Sequence, residues 1–170
     1  MIIAIDTETT GLSPAHGDRV IEWAAVKIEE GRIVDQESML INPGVRIPMS
    51  VQKIHGIRNQ DLAGARSPET AWQEFFKFVG DAPLIAHNMQ FDNRFIAAEM
   101  ARLGLTLRNS TVCTLALSRK CYPNLPSYRL KDLVSKFQLE RPSTVAFHRA
   151  LNDAYCVASL WLHLQRRDHE

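Results

Sequence analysis

Cysteine, net charge and long apolar runs are all scarce in this sequence, and each shortage removes a class of protein. The 3 cysteines, Cys113, Cys121 and Cys156, are odd in number and show no C-x-x-C spacing. That excludes a disulfide framework and leaves thiols serving as small core residues in a reduced, cytoplasmic protein. A formal charge of +1 gives no global polyanion signature, so a nucleic-acid partner has to be held by a local patch or by metal. No apolar stretch approaches the roughly 20 residues of a transmembrane helix. The opening apolar run is short and ends in acids, unlike a secretory leader, so no membrane partner is expected. Repeats, low-complexity tracts and an interdomain linker are missing too. What is present is a chain of 170 residues, 45% of them hydrophobic, enough for one domain over 1–170 with a substantial core.

The pattern along the chain predicts a mixed α/β fold. Ile2 to Ile5 reads as a buried strand running into Asp6-Thr7-Glu8, and Thr9, Thr10 and Gly11 turn the chain away. Strands are expected over Arg19–Glu29 and Arg32–Asn42, joined by a hairpin turn at Glu30-Gly31. Ser50 is expected to cap a short helix that stops at Gly56, and Ser67-Pro68-Glu69 starts another over Pro68–Val79. Leu84–Ala86 and Thr111–Cys113 read as short strands, with helices at Gln90–Leu103, Thr114–Cys121, Leu130–Phe137 and Arg149–Arg166, and a loop at Leu139–Phe147. Three antiparallel strands followed by strands alternating with helices give a sheet flanked by helices on both faces.

Four acids stand out against that pattern. A strand has a side-chain period of two, so Asp6 and Glu8 share one face. Two adjacent buried like charges are unfavourable unless a cation lies between them. Asp92 heads an apolar helical stripe that continues through Ile96, Met100 and Leu103. Asp153 shares its helix face with Val157, Leu160 and Leu164, and a charge there needs a partner. His148 falls at the loop just before that helix. Each alone has a plainer explanation: solvated strand-end acids, a helix N-terminal acid, a capping histidine.

Together, the segments DTETTGL (6–12), HNMQFDNRF (87–95) and HRALNDA (148–154) resemble the three motifs of the DEDDh, or DnaQ-like, 3′–5′ exonucleases. Their order and spacing match from Ile3 to about Leu162. The resemblance implies a ribonuclease H-like sheet of three antiparallel and then parallel strands. It implies that Asp6, Glu8, Asp92 and Asp153 hold two divalent ions and that His148 is the general base. An all-carboxylate ligand set favours Mg²⁺ or Mn²⁺ over zinc. It further places Thr7, Thr10, Gly11, Leu12, His55, His87 and Asn88 along the substrate cleft, with turn amides near the 3′-hydroxyl and Leu12 as an apolar wedge. Arg119, Lys120, Arg129 and Lys131 could follow a strand's phosphates, or form a solvated basic face. Cys113-Thr114 departs from the Asp-Thr of many members, outside the four acids.

The expected substrate is a single-stranded 3′ end, DNA before RNA, with replication or repair proteins as possible partners and the oligomeric state open. An RNA-trimming exonuclease and a non-cleaving nucleic-acid-binding domain are the alternatives.

Overall fold

The structure is a computed structural model and describes residues 1–141 and 149–167. Five strands, β1 (Ile2–Thr9), β2 (Val20–Glu29), β3 (Arg32–Leu40), β4 (Leu84–Ala86) and β5 (Thr111–Cys113), form one sheet in the order β3-β2-β1-β4-β5. The first three pair antiparallel, β4 pairs parallel with β1, and β5 pairs parallel with β4. The expected order of antiparallel and then parallel strands is therefore observed. Helices are α1 (Met49–His55), α2 (Pro68–Val79), α3 (Met89–Arg102), α4 (Thr114–Cys121), α5 (Leu130–Lys136) and α6 (Ala150–Arg167). No helix among the described residues is long and apolar enough to cross a membrane.

Alternation along β1 divides the core. Ile3 and Ile5 pack with Trp72 and Phe75 of α2 and with Phe95, Ile96 and Met100 of α3. Trp23 of β2 joins them, edge-on to Phe75 at 5.4 Å, and its indole N–H donates to the Ala71 carbonyl at 3.0 Å. On the opposite face Ala4, Ala24, Val26 and Ile85 meet Ala150, Ala154, Val157 and Ala158 of α6. Small residues on both sides of that seam let α6 lie close to the sheet. Along its length, β1 therefore delivers odd-numbered side chains to the α3 face and even-numbered ones to the α6 face.

Some expectations need correction. Ser50 does not cap α1: the cap is Pro48, whose extended backbone (φ −58°, ψ 145°) and carbonyl receive the N–H groups of Val51 and Gln52. The third strand stops at Leu40 rather than Asn42, because Asn42 donates its N–H to the Arg66 carbonyl instead. A buried ion pair that no periodicity announces ties α3 to the start of β2. Both Glu99 oxygens accept from the Arg19 guanidinium, at 2.7 and 2.8 Å, across 80 residues of chain.

Candidate active site

Strand parity sorts the acids before any distance is measured. Asp6 and Glu8 have the parity of Ala4, so they face α6, and Asp153 lies in the first turn of that helix. Each of the three offers an oxygen within 4.8 Å of the others. Oxygen ligands stand about 2.0–2.6 Å from Mg²⁺ or Ca²⁺, so side-chain shifts of a few tenths of an ångström are enough to bring all three onto a single divalent cation. The residues therefore fit a hard cation. A β-bulge between Glu8 and Thr9, where the pairing jumps from Glu22 to Val20, ends the ladder beside this cluster and turns the chain away.

Asp92 sits apart from the tight trio. It is buried in the first turn of α3 and accepts a hydrogen bond from the Thr7 hydroxyl at 2.8 Å. Thr7 has the parity of Ile3 and Ile5, which sends it to the α3 face. Its side chain thus holds Asp92, and it does not join Asp6 and Glu8 on the α6 face.

The electrostatics express this crowding. Burial, followed by the charges of Asp92, Glu8, Asp153 and Glu22, holds Asp6 well above the ordinary carboxylate range. Burial and then Asp153, Glu22 and Asp92 push Glu8 up to about 8, against a lowering influence from Arg149. Burial raises Asp92 to about 7 even though Thr7 and backbone N–H groups oppose it. Without a cation, protons are what relieve the repulsion.

The turn after β1 is tightly built. Thr9 donates its hydroxyl hydrogen to the Gly11 carbonyl at 2.6 Å, and Thr10 donates its backbone N–H to the Arg19 carbonyl at 2.9 Å while its hydroxyl oxygen accepts from the Arg19 N–H at 3.0 Å. The Asp18 carboxylate lies beneath Gly11, 2.4 Å from where a Cβ would stand, and accepts from Ser13 N–H at 2.9 Å. Only glycine leaves that space. The Thr10 N–H is committed to the Arg19 carbonyl, so Gly11 and Leu12 are the amides with which this turn could meet a substrate. Leu12 is 79% exposed, an apolar side chain held out beyond a rigid turn.

The remaining sequence-derived candidates divide. Asn88 is exposed, adopts φ 73° and caps α3 through its carbonyl, which accepts the Phe91 N–H at 2.8 Å, with no side-chain cap bond; asparagine tolerates this left-handed turn from β4 into the helix. His87 is engaged at both ring nitrogens, with Thr114 Oγ1 at 3.1 Å and the Tyr128 carbonyl at 2.8 Å. A carbonyl can only accept, so Nε2 carries the proton. Burial keeps His87 below its ordinary pKa. His55 is buried at the end of α1, with Nδ1 accepting the Ile57 N–H at 3.0 Å. His148 lies outside the described residues.

Sequence reasoning missed Glu22 and Arg149. Glu22 stands directly opposite Glu8 in the ladder, 3% exposed, and accepts from the Arg149 guanidinium at 2.7 and 3.2 Å and from Ala150 N–H at 3.0 Å. A lone acid inside the otherwise apolar VIEWAAV run was the available signal. At Cys113, N–H groups of Ala116, Met89, Asn88 and Leu115 pull the thiol below its ordinary pKa against the effect of burial.

Comparison with known proteins adds to this geometry. The family model described as Exonuclease (RNase T) matches residues 3–161. The DNA polymerase III subunit epsilon of Aquifex aeolicus (strain VF5) is 37% identical over 161 residues, covering 94% of this chain and 78% of that protein. The 3′-5′ exonuclease DinG of Bacillus subtilis (strain 168) is 36% identical over 163 residues, 95% of this chain but 17% of that longer protein. Among solved structures, exonuclease X in complex with 5′ overhanging duplex DNA superposes with a TM-score of 0.83 at 28% identity, covering 100% of this chain and 94% of that one.

Proposed function

The chain belongs to the Exonuclease family, whose model spans residues 3–161, and from that membership we propose that it releases nucleoside 5′-monophosphates from the 3′ ends of single-stranded DNA. The observation that carries this reading is the convergence of Asp6, Glu8 and Asp153 oxygens within 4.8 Å. In this reading Asp6, Glu8 and Asp153 would hold one divalent ion, and Asp92 would help to hold a second. Mg²⁺ or Mn²⁺ suits such an oxygen set. Bound divalent cations supply a more acidic attacking water and neutralise charge on the phosphoryl oxygens.

The chain's own groups do the rest. Thr7 fixes the Asp92 carboxylate through its 2.8 Å hydrogen bond. His148 is the general base, the role that the likeness of HRALNDA to the family's third motif implies for it. The Gly11 and Leu12 amides receive the 3′-hydroxyl, and Leu12 packs on the terminal base. Asn88 borders the cleft, and Arg119, Lys120, Arg129 and Lys131 follow the phosphates. DNA is favoured because the relatives are named for DNA polymerase III and the exonuclease X structure holds DNA. Replication or repair proteins in the cytoplasm are the partners this reading implies.

A 5′-labelled single-stranded oligonucleotide tests it. Progressive shortening from the 3′ end, faster for DNA than for a matched RNA and abolished by EDTA, is expected. Internal cleavage, or full turnover in EDTA, would overturn the proposal.

The same site predicts a pH-dependent response to metal. Glu8 at about 8, Asp92 at about 7 and a raised Asp6 mean that the folded chain binds more protons than the unfolded chain above pH 4. Their contribution to stability is thus fully present below the ordinary carboxylate pKa and is lost as pH rises toward 8. A divalent cation takes the protons' place. The increase in melting temperature on adding Mn²⁺ is therefore expected to be larger at pH 8 than at pH 5.5. Equal increases at both pH values would contradict the assignment.

A further inference from the structure

Glu22 is a fifth acid beside the cluster, and its geometry differs from that of the other four. It faces Glu8 directly across the β1–β2 pairing, where like charges repel, yet it is outside the trio that converges within 4.8 Å. Both of its oxygens are engaged. Oε1 accepts from Arg149 Nη2 at 2.7 Å, and Oε2 accepts from Arg149 Nε at 3.2 Å and from the Ala150 N–H at 3.0 Å. Ala150 is the first residue of α6, and the Asp153 N–H donates to the Arg149 carbonyl at 3.1 Å. One carboxylate on the sheet therefore grips the first turn of the helix that presents Asp153.

Resting on the metal-site reading above, we propose that Glu22 and Arg149 form a positioning pair that fixes the N-terminal turn of α6. The pair sets where Asp153 stands relative to Asp6 and Glu8. The pair needs both members for separate reasons. The carboxylate satisfies an N-terminal helix N–H, and the bidentate guanidinium cancels a charge that would otherwise face Glu8. An acid at position 22 without its arginine adds repulsion to the site. An arginine without its acid leaves the helix start unanchored. Neither residue needs to touch a metal or the substrate to control the ligand geometry.

The test uses the full chain with Mn²⁺ as the probe and compares Glu22→Gln, Arg149→Met, the double variant and Arg149→Lys. Mn²⁺ affinity is read by calorimetry without substrate, and kcat and KM are then measured on an oligonucleotide. Each single variant is expected to bind Mn²⁺ and turn over roughly 10- to 100-fold more weakly, as partners that orient metal ligands typically do. KM for DNA should move far less. The double variant should be no worse than the weaker single one, because the two residues act as a unit, and Arg149→Lys should recover part of the affinity. If Glu22→Gln fails to fold, the Arg149 variants carry the test, since that side chain is 40% exposed. Wild-type Mn²⁺ affinity in the folded single variants, or losses that add in the double variant, overturns the positioning role while leaving the metal site intact. Absence of Mn²⁺ binding by the wild-type chain overturns both.

Discussion

Replacing Asp6 by asparagine is expected to lower the hydrolysis rate on the order of 10³-fold, the equivalent of about 4 kcal/mol of the charge stabilisation that bound cations provide. Asp6 is the acid that feels all of the others: Asp92, Glu8, Asp153 and Glu22 each push its pKa upward. It is therefore the residue whose charge any cation in the site most directly offsets. The substitution keeps size and shape while removing that charge. In metal-free buffer at pH 8 it should leave the fold intact and raise the melting temperature, because a source of repulsion is gone. Loss of activity with a gain in metal-free stability separates a functional acid from a structural one. A rate within tenfold of wild type, or a destabilised fold, would contradict the role.

His148→Ala is the second large effect, roughly 10²- to 10⁴-fold in kcat for loss of a general base. The sign of its pH dependence is fixed by the chemistry. A base must be neutral, so with Mn²⁺ saturating at each pH the wild-type rate should rise from pH 6 to pH 8, and the variant's residual rate should lose that rise. Mn²⁺ affinity should be unchanged, which distinguishes this variant from Asp6→Asn. An unaltered pH profile in His148→Ala would remove the histidine from the mechanism.

Much of this site could be read before any coordinates, and what was hidden has a common physical cause. The period of two along β1 was enough to put Asp6 and Glu8 on one face, and helical periodicity was enough to bury Asp92 with Ile96 and Met100. Those are local rules. That Thr7 would reach Asp92, 85 residues away, depends on which helix covers which face of the sheet, and no local rule states that. Glu22 is hidden for the same reason: its partners lie 127 and 128 residues along the chain, so the sequence shows only an acid in an apolar run. Arg19 and Glu99 repeat the pattern across 80 residues. The local failures are smaller. Ser50 reads as the cap of the first helix, but the extended backbone and carbonyl of Pro48 perform the function. Asn88, whose place beside the cleft follows from the family resemblance, also supplies the left-handed turn that opens α3.

Acids from the first strand and the last helix have to be held together by a cation for this site to work. Calorimetric titration of the full chain with Mn²⁺ at pH 8, alongside Asp6→Asn and Asp153→Asn, addresses this directly. The prediction is saturable binding of two ions per wild-type chain, with sharply weakened binding in both variants. Binding that is absent in the wild type, or equally strong in all three proteins, would contradict it.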